Sequence, residues 1–328
     1  MSKGPRGVWH VSLYKYGKQY NYMNNCIVIM ENNCEYVSSR GILKSCSVRA
    51  DNPASSCDTA IEYLENMQQH ENMSIYVCSH LLRTFVLRYL PRITHKFYLV
   101  TGDSDLAVPD EALRPELFQK IMENDYLNTW YAQNLFSPPS SKLQHLPIGL
   151  DYHTISEIPD HWWRMHTEGY LPCEQEILLK RLMHKSRPFH ERQAKIFCNV
   201  HFSPDRYGQR NAAIQTIPPE LMVKSENHLS RSQTWEKKCE YAFVLSPYGN
   251  GYDCHRTWEA LCMGAIPIMS TPYFDELFDG LPVLNVEEWS DITAELLDQT
   301  LREFKEKTFQ YEKLTLSYWT SKFTAKAT

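Results

Sequence analysis

The stretch from Tyr241 to Met269, YAFVLSPYGNGYDCHRTWEALCMGAIPIM, decides the fold of this chain. It opens with the apolar, strand-like run Tyr241–Leu245 and continues into a turn-rich loop. The run from Cys254 to Met263 predicts a helix that Gly264 can end, and a second apolar run follows it. The order strand, loop, helix, strand predicts a βαβ unit of an open parallel sheet.

The start of this helix has the composition of a phosphate site. Asp253 is placed to cap the helix, and the free amides of a helix start favour an anion. Gly249 and Gly251 would let that anion approach the backbone closely. Arg256 adds a planar donor for a diphosphate, and the Glu259 carboxylate can accept both hydroxyls of a ribose. A purely structural connection is the alternative, because neither G-x-G-x-x-G nor a P-loop is present.

The run FVLSPYGNGYDCHRTWEALCMGAIPI resembles the donor-binding half of the exostosin-like glycosyltransferases, and the rest of the chain resembles them more loosely. Those enzymes invert the anomeric centre and have the GT-B architecture. The resemblance therefore implies an α/β fold in which two Rossmann-like domains with parallel sheets face across a cleft. It places an N-terminal acceptor-binding domain at 1–188 and a C-terminal nucleotide-sugar-binding domain at 189–300. A C-terminal helix at 301–328 would pack back toward the N-terminal domain.

The resemblance also implies which residues bind the donor. They are Arg210, Ser246, Tyr248, Gly249, Asn250, Gly251, Asp253, His255, Arg256 and Glu259. Arg256 and the loop would hold the diphosphate, and Glu259 would hold the ribose. The implied donor is a UDP-sugar, possibly UDP-xylose, and the implied acceptor is a hydroxyl of an oligosaccharide or a glycoprotein glycan.

Length, composition and net charge limit the classes of function that this chain can have. A length of 328 residues suits two domains, and 43% hydrophobic residues predict a globular core. The net charge of −5 argues against general binding to nucleic acid. The ten cysteines show neither a CxxC pair nor zinc spacing, so a reduced protein is favoured and disulfides stay open.

The sequence contains no predicted membrane span and no secretory leader. The N-terminus is polar, and no apolar run reaches the length that crosses a bilayer. We therefore expect a cytoplasmic protein. Animal and plant members of the resembling family usually carry an anchor, so we expect a soluble viral or microbial member, or a trimmed chain.

The first half contains its own βαβ unit. Ile75–Cys78 and Lys96–Val100 are strand-like, and Leu81–Leu90 between them is helix-like. Further strands are predicted at 8–13 and 26–30.

The strand ending at Val100 leads into Gly102-Asp103-Ser104-Asp105, where ligands gather in open α/β sheets. One interpretation is a general base for the acceptor hydroxyl. A second is the D-x-D metal site of a GT-A glycosyltransferase, and a third is a turn that caps the next element. We favour the base, because a metal site here would leave the downstream nucleotide signature unused. The resembling enzymes carry the base in this domain and need no metal, so we expect no cofactor. Asp103 and Asp105 are about equally suited to act as the base.

Two arginines follow the first strand of the second half. Arg206 and Arg210 are four apart, the spacing of one helix face, and a solvated basic face is the alternative interpretation. In the resembling family an Arg of this loop stabilises the departing diphosphate. That role falls to Arg206 first and to Arg210 second.

A block around P-I-G-L-D-Y-H, which also resembles the family, closes the N-terminal half. Its weak acceptor-site candidates are Asn134, His145, Asp151 and His153. Three other functions stay open, namely a metal-dependent GT-A enzyme, a noncatalytic glycan-binding module and a nicotinamide-dependent oxidoreductase. For the last we find no convincing glycine-rich turn with an acidic ribose ligand.

Overall fold

The computed structural model describes residues 30–50, 61–200, 205–225, 228–271 and 274–324. The strand predicted at 8–13 lies outside these ranges, as does the one at 26–30 except for Met30. Within the described ranges, no helix combines the length and the apolar character that crossing a membrane requires.

Within the described ranges, nine strands form two parallel sheets. They are β1 (Met73–Cys78), β2 (Phe97–Gly102), β3 (Leu127–Ala132), β4 (Leu143–His145), β5 (Gln193–Cys198), β6 (Met222–Lys224), β7 (Tyr241–Leu245), β8 (Ile266–Met269) and β9 (Leu284–Asn285). The α-helices are α1 (Ser39–Ser45), α2 (Leu82–Thr84), α3 (Pro115–Met122), α4 (His153–Glu157), α5 (Pro172–Lys185), α6 (Gln209–Thr216), α7 (Arg231–Lys238), α8 (His255–Cys262), α9 (Asp275–Phe278), α10 (Ala294–Lys305) and α11 (Leu316–Thr320).

The first sheet has the order β1-β2-β3-β4. All six residues of β1 are buried, as expected for a parallel strand covered on both faces. A continuous helical segment at 79–92, which contains α2, connects β1 to β2. The βαβ unit predicted in this half is therefore confirmed.

The second sheet has the order β6-β5-β7-β8-β9. The direction of winding reverses between β5 and β7, so the loops that leave these two strands diverge and open a crevice. The stretch predicted to decide the fold forms β7, α8 and β8 with a parallel β7–β8 register. Together the two sheets confirm the predicted α/β fold class with two parallel sheets.

The end of the chain packs against the first half. Tyr36 forms an antiparallel bridge with Thr315, and the Phe323 ring lies 5.7 Å from the Tyr131 ring. A single helix at 301–328 is not formed, because α10 ends at Lys305 and the amide of Gln310 donates to the carbonyl of Gly280 instead.

Aromatic stacking joins the two halves near their strand ends. Phe136, which follows β3, stacks on Tyr252 with the ring centroids 4.1 Å apart. Tyr252 in turn stacks on Tyr207, at 4.7 Å. Such contacts fix the loop before α8 against the first half.

Replacing Phe323 should destabilise the whole molecule, because its ring is fully buried against the first sheet. We expect Phe323→Ala to lower the free energy of unfolding by about 3–5 kcal/mol in urea denaturation. The exposed Tyr126 is the control, and Tyr126→Ala should cost less than about 1 kcal/mol. Equal losses in the two variants would contradict the anchoring role of the C-terminal segment.

Candidate active site

A cleft of about 900 Å³ lies between the two halves. In the first half its walls follow β2 and β4, at Asp105 and Ile148. In the second half they follow β5 at Asn199, β6 at Lys224 and β7 at Gly249. Every one of these segments leaves the carboxyl end of its strand, and the β5–β7 reversal lies among them. This is the position where ligands bind in open α/β sheets.

The loop after β7 forms part of the cleft wall. Gly249, Asn250 and Gly251 line the cleft, and the amide of Gly249 donates to the carbonyl of Gly251 at 2.9 Å. A Cβ on Gly251 would come within 2.9 Å of the Asn134 side chain. Gly251 therefore permits the close approach of the two halves, a reason that the sequence did not reveal.

Two other residues predicted to bind the donor do not line the cleft. The Ser246 hydroxyl is 2.7 Å from the Thr257 hydroxyl and is buried behind the loop. The Tyr248 ring is also buried and packs edge-to-face on Tyr252 at 4.7 Å. Both residues support the loop from behind.

Asp253 does not cap α8, contrary to the prediction. The capping position is Cys254, whose side chain makes no capping hydrogen bond. The Asp253 carboxylate instead accepts the amide of Ile148 at 2.7 Å and the indole N–H of Trp258 at 2.9 Å. Its own amide donates to the Asn134 side chain at 2.8 Å. Because Ile148 and Asn134 belong to the first half, Asp253 joins the two halves at the cleft.

Two guanidinium groups converge beside the glycine loop. Arg256, in the first turn of α8, donates to the carbonyl of Pro247 at 3.1 Å. Arg210, on α6, donates to the carbonyl of Tyr248 at 3.2 Å. Burial lowers the pKa of Arg210, and the nearby charge of Arg256 lowers it further. Two cations held this close to each other are suited to an anion that lies between them.

Glu259 lies within a buried ionic network. Its carboxylate pairs with Arg231 Nη1 at 2.7 Å and with the ammonium group of Lys238. Burial alone would raise the pKa of Glu259, but Lys238 and Arg231 outweigh it and the pKa is lowered. The carboxylate lines the cleft, and its role toward a ribose stays a prediction.

The same network reaches the first half through Asp151. Arg231 donates to the Asp151 carbonyl at 2.9 Å and pairs with its carboxylate at 3.1 Å. Burial would raise the pKa of Asp151, but His153 at 3.2 Å and Arg231 outweigh it and lower the pKa. Asp151 therefore lines the cleft as a charged, paired carboxylate.

His255, on α8, contacts two residues of the first half, Gly149 and His153. His255 lines the cleft, and its Nδ1 is 2.7 Å from the carbonyl of Gly149. A carbonyl only accepts, so Nδ1 carries the hydrogen. The His153 ring meets the His255 ring edge-on at 6.0 Å.

The two candidate bases have different environments. Asp103 is buried, and its carboxylate pairs with Arg40 at 2.9 Å. Asp105 is exposed and lines the cleft opposite the arginines. The two carboxylates therefore do not converge on one point, which disfavours the D-x-D arrangement. Among the described residues, no group of three His, Cys, Asp or Glu side chains is arranged to hold a metal ion.

Arg206 lies at the rim and not on the helix with Arg210. Helix α6 begins at Gln209, and Arg206 precedes it. Its guanidinium pairs with Glu111 of the first half at 2.6 Å and donates to the Asn250 carbonyl at 3.4 Å. Its predicted role at the diphosphate stays a prediction, whereas Arg210 lines the cleft.

Two further acceptor-site candidates lie behind the cleft wall. Asn134 is buried, and its amide group donates to the Ser104 carbonyl at 2.9 Å. His145 is buried beside Phe274, and burial lowers its pKa to about 4. Neither lines the cleft, and their acceptor roles stay predictions.

The sequence did not reveal several residues that line the cleft. They are Trp162, Trp163, Lys224, Arg231 and Lys238. Arg231 was within reach of sequence reasoning, because Ser230 and Gln233 form a capping box that fixes the start of α7. Its partner Asp151 lies 80 residues earlier, and no local pattern links the two.

No protein-family profile matches the chain, and no curated protein matches it. Two solved structures of α1,3-fucosyltransferases are similar to it. The match to one of them, determined with GDP-fucose, covers 87% of this chain and 94% of the fucosyltransferase chain. The sequence identity is 11% and the TM-score is 0.39. The match to the other covers 75% of this chain and 83% of the fucosyltransferase chain, with a sequence identity of 13% and a TM-score of 0.33.

A third structure is the glycosyltransferase AviGT4 of avilamycin A biosynthesis. It covers 74% of this chain and 84% of its own, at 11% identity and a TM-score of 0.26. At such TM-scores and identities these likenesses carry no argument about the substrate of this chain. The exostosin-like resemblance likewise stays a prediction.

The Asp253 contact should make stability depend on pH. Burial raises the pKa of Asp253 to about 6, against the amide of Ile148 and the indole of Trp258, which lower it. The pKa of Asp253 is thus higher in the folded protein than in the unfolded chain. The stability that protonated Asp253 contributes is therefore complete below about pH 4 and is lost as the pH rises through 6. The free energy of unfolding, relative to Asp253→Asn, should therefore fall by about 1 kcal/mol between pH 5 and pH 7.5.

Urea denaturation of both proteins across this range measures the difference. The Asn variant lacks the titrating group, so it corrects for all other ionisations. A difference that does not change with pH would show that Asp253 is not a buried carboxylate of raised pKa.

Proposed function

We propose that this protein is a glycosyltransferase that uses a nucleotide-diphosphate sugar as donor. One observation carries the proposal, namely that Arg210 and Arg256 converge beside the glycine loop while Asp105 of the first half lines the same cleft, near enough for its charge to act on Arg210. The arginines lie where the winding of the second sheet reverses, Arg210 in the first turn of α6 and Arg256 in the first turn of α8. This position combines helix-start amides with two planar donors, which together suit a diphosphate.

The size and shape of the cleft support a donor and an acceptor together. Its volume of about 900 Å³ is at the upper end for small-ligand sites. Trp162 and Trp163 of the first half line it and offer flat apolar surfaces to sugar rings. UDP as the nucleotide rests on the exostosin-like resemblance alone.

The proposed reaction proceeds with inversion. The Asp105 carboxylate takes the proton of an acceptor hydroxyl while the oxygen of that hydroxyl attacks the anomeric carbon. The bond from that carbon to the diphosphate breaks, and the electron pair leaves with the diphosphate. Arg256 and Arg210 stabilise the negative charge that grows there, in a site fixed before the reaction begins. These steps use side chains alone and need no metal.

Asp105 suits the role of base better than Asp103. The Asp103 carboxylate is buried and held by Arg40, so a substrate hydroxyl has no access to it. Asp105 is exposed to the cleft from the opposite wall, where an acceptor would lie.

Removing the guanidinium of Arg256 should weaken donor binding. A hydrogen bond to a charged group is worth about 1.5–3 kcal/mol, so we expect the Kd for UDP to rise about 10-fold to 100-fold in Arg256→Ala. Isothermal titration calorimetry measures the change. The control is Arg302→Ala, an exposed charge on α10 outside the cleft, which should leave the Kd unchanged. An unaltered Kd in Arg256→Ala would remove the diphosphate site.

The two carboxylates can be separated by substitution. We expect Asp105→Asn to lower kcat by about 10²-fold to 10⁴-fold without changing the donor Kd, since the amide cannot accept the proton. The neighbouring exposed Asp110 provides the control, and Asp110→Asn should keep full turnover.

Asp103→Asn should act on stability instead. It removes the closer of two carboxylates from the buried Arg40 and leaves Glu157 at 3.9 Å, so we expect a loss of up to about 3–5 kcal/mol in the free energy of unfolding. The first step is to identify a donor by thermal shift with a panel of nucleotide sugars, because a ligand of the folded state raises its apparent stability. Full turnover in Asp105→Asn with that donor would place the base elsewhere.

A further inference from the structure

A second cavity, of about 550 Å³, lies at the other end of the strands of the second sheet. Arg192 and Gly264 line it, and they precede β5 and β8 respectively. The cavity therefore opens at the amino ends of the strands, whereas the cleft opens at their carboxyl ends. We call it the back cavity.

The charge of the back cavity is of one sign. Arg187, Arg192, Lys305 and Lys307 line it, and none of its described lining residues is acidic, although Glu191 lies 3.9 Å from the lining His190. This concentration of positive charge occurs on a chain whose net charge is −5. Arg187, Lys305 and Lys307 are exposed, and none of them pairs with a carboxylate of the described residues. A cavity lined by unopposed cations favours an anion.

Aromatic rings also line the back cavity, and most of them come from the segment 304–311 that carries the two lysines. The Phe304 and Phe309 rings meet edge-to-face at 5.3 Å, and the Tyr311 ring lies 6.1 Å from that of Phe309. The Tyr311 side chain is 45% exposed, although it is a large aromatic group. Phe189 lies in the same cavity. Such rings can stack on a planar ligand group.

Two polar features support a ligand site here. The Nδ1 atom of His190 is buried and makes no hydrogen bond to the described residues. Arg192 is itself buried, and its guanidinium donates to the carbonyls of Arg187, Lys238 and Met263. The Arg192 charge is therefore fixed in the wall and cannot fold outward into solvent.

We propose that the back cavity binds a phosphorylated nucleoside, separately from the cleft. The base would stack on the aromatic rings, and the phosphate would lie against Arg187, Lys305 and Lys307. A neutral glycan fits less well, because the lining has four Arg and Lys side chains but no amide side chain, and its hydroxyls are those of Ser186, Thr308 and Tyr311. The cations and rings together match a ligand that is both charged and flat.

The back cavity also touches the helices that line the cleft. Arg192 donates to the last residue of α7, Lys238, whose ammonium group pairs with Glu259 in the cleft. It also donates to Met263, directly after α8. A ligand in the back cavity would thus contact the end of α8 directly and would reach the end of α7 through Arg192.

Photolabelling with 8-azido-adenosine monophosphate and peptide mapping tests the site. We expect the label within 183–192 or 304–311, and we expect adenosine monophosphate to compete with it. Labelling confined to 246–259 would overturn the proposal, because the nucleoside would then bind only in the cleft. Competition by inorganic phosphate alone, at equal strength, would also overturn it, because the base would contribute nothing.

Paired variants distinguish the two sites. Lys305→Ala/Lys307→Ala should weaken binding of adenosine monophosphate by about tenfold or more, since charged contacts to the phosphate are lost. The matched control, Lys120→Ala/Arg302→Ala, removes two exposed charges outside both cavities and should leave the affinity unchanged. Affinity for adenosine monophosphate that falls in Arg256→Ala would show binding in the cleft and would overturn the proposal, whereas a cleft that binds no sugar donor leaves this test unaffected. An unaltered affinity in the Lys305/Lys307 variant would refute the site.

Discussion

The cleft exists because the Asp253 carboxylate joins one half of the molecule to the other. It accepts from Ile148 in the first half and from Trp258 on α8, and its own backbone donates to Asn134. A buried carboxylate that accepts hydrogen bonds on both sides fixes position more sharply than apolar packing does, because its bonds are directional. The start of α8, and with it Arg256, is thereby set relative to the wall that carries Asp105.

The ionic network below the cleft has the same bridging geometry. Arg231 connects Asp151 of the first half with Glu259 of the second, and Lys238 completes the pairing of Glu259. Buried ion pairs often add little net stability, because desolvation offsets their attraction. Their contribution here is orientation, since each partner is held by at least one other charged group. The Glu259 carboxylate is therefore fixed in direction by its two cationic partners.

Helix α8 relates the two cavities of the second half. Its first turn carries the cationic wall of the cleft, and the residues after its last turn line the back cavity. Arg192 bonds to the backbone where α7 and α8 end, so the two helices share one support. The molecule thus has one cavity at the carboxyl ends and another at the amino ends of the strands of the second sheet. Both contain arginine side chains that donate to backbone carbonyls.

Local patterns in the sequence are enough to identify the class of fold and the position of the central βαβ unit. Apolar runs such as Tyr241–Leu245 and the glycine after α8 are local signals, and they identify parallel strands and helix ends without knowledge of the partner strand. The convergence of Arg256 on the cleft was also predictable, because a helix start after a glycine loop lies at the carboxyl edge of its sheet. Only the tertiary structure decided which side chains remain available there. Asp103 is taken by Arg40, and Glu259 by Arg231 and Lys238, through pairings between residues distant in sequence that no local pattern encodes.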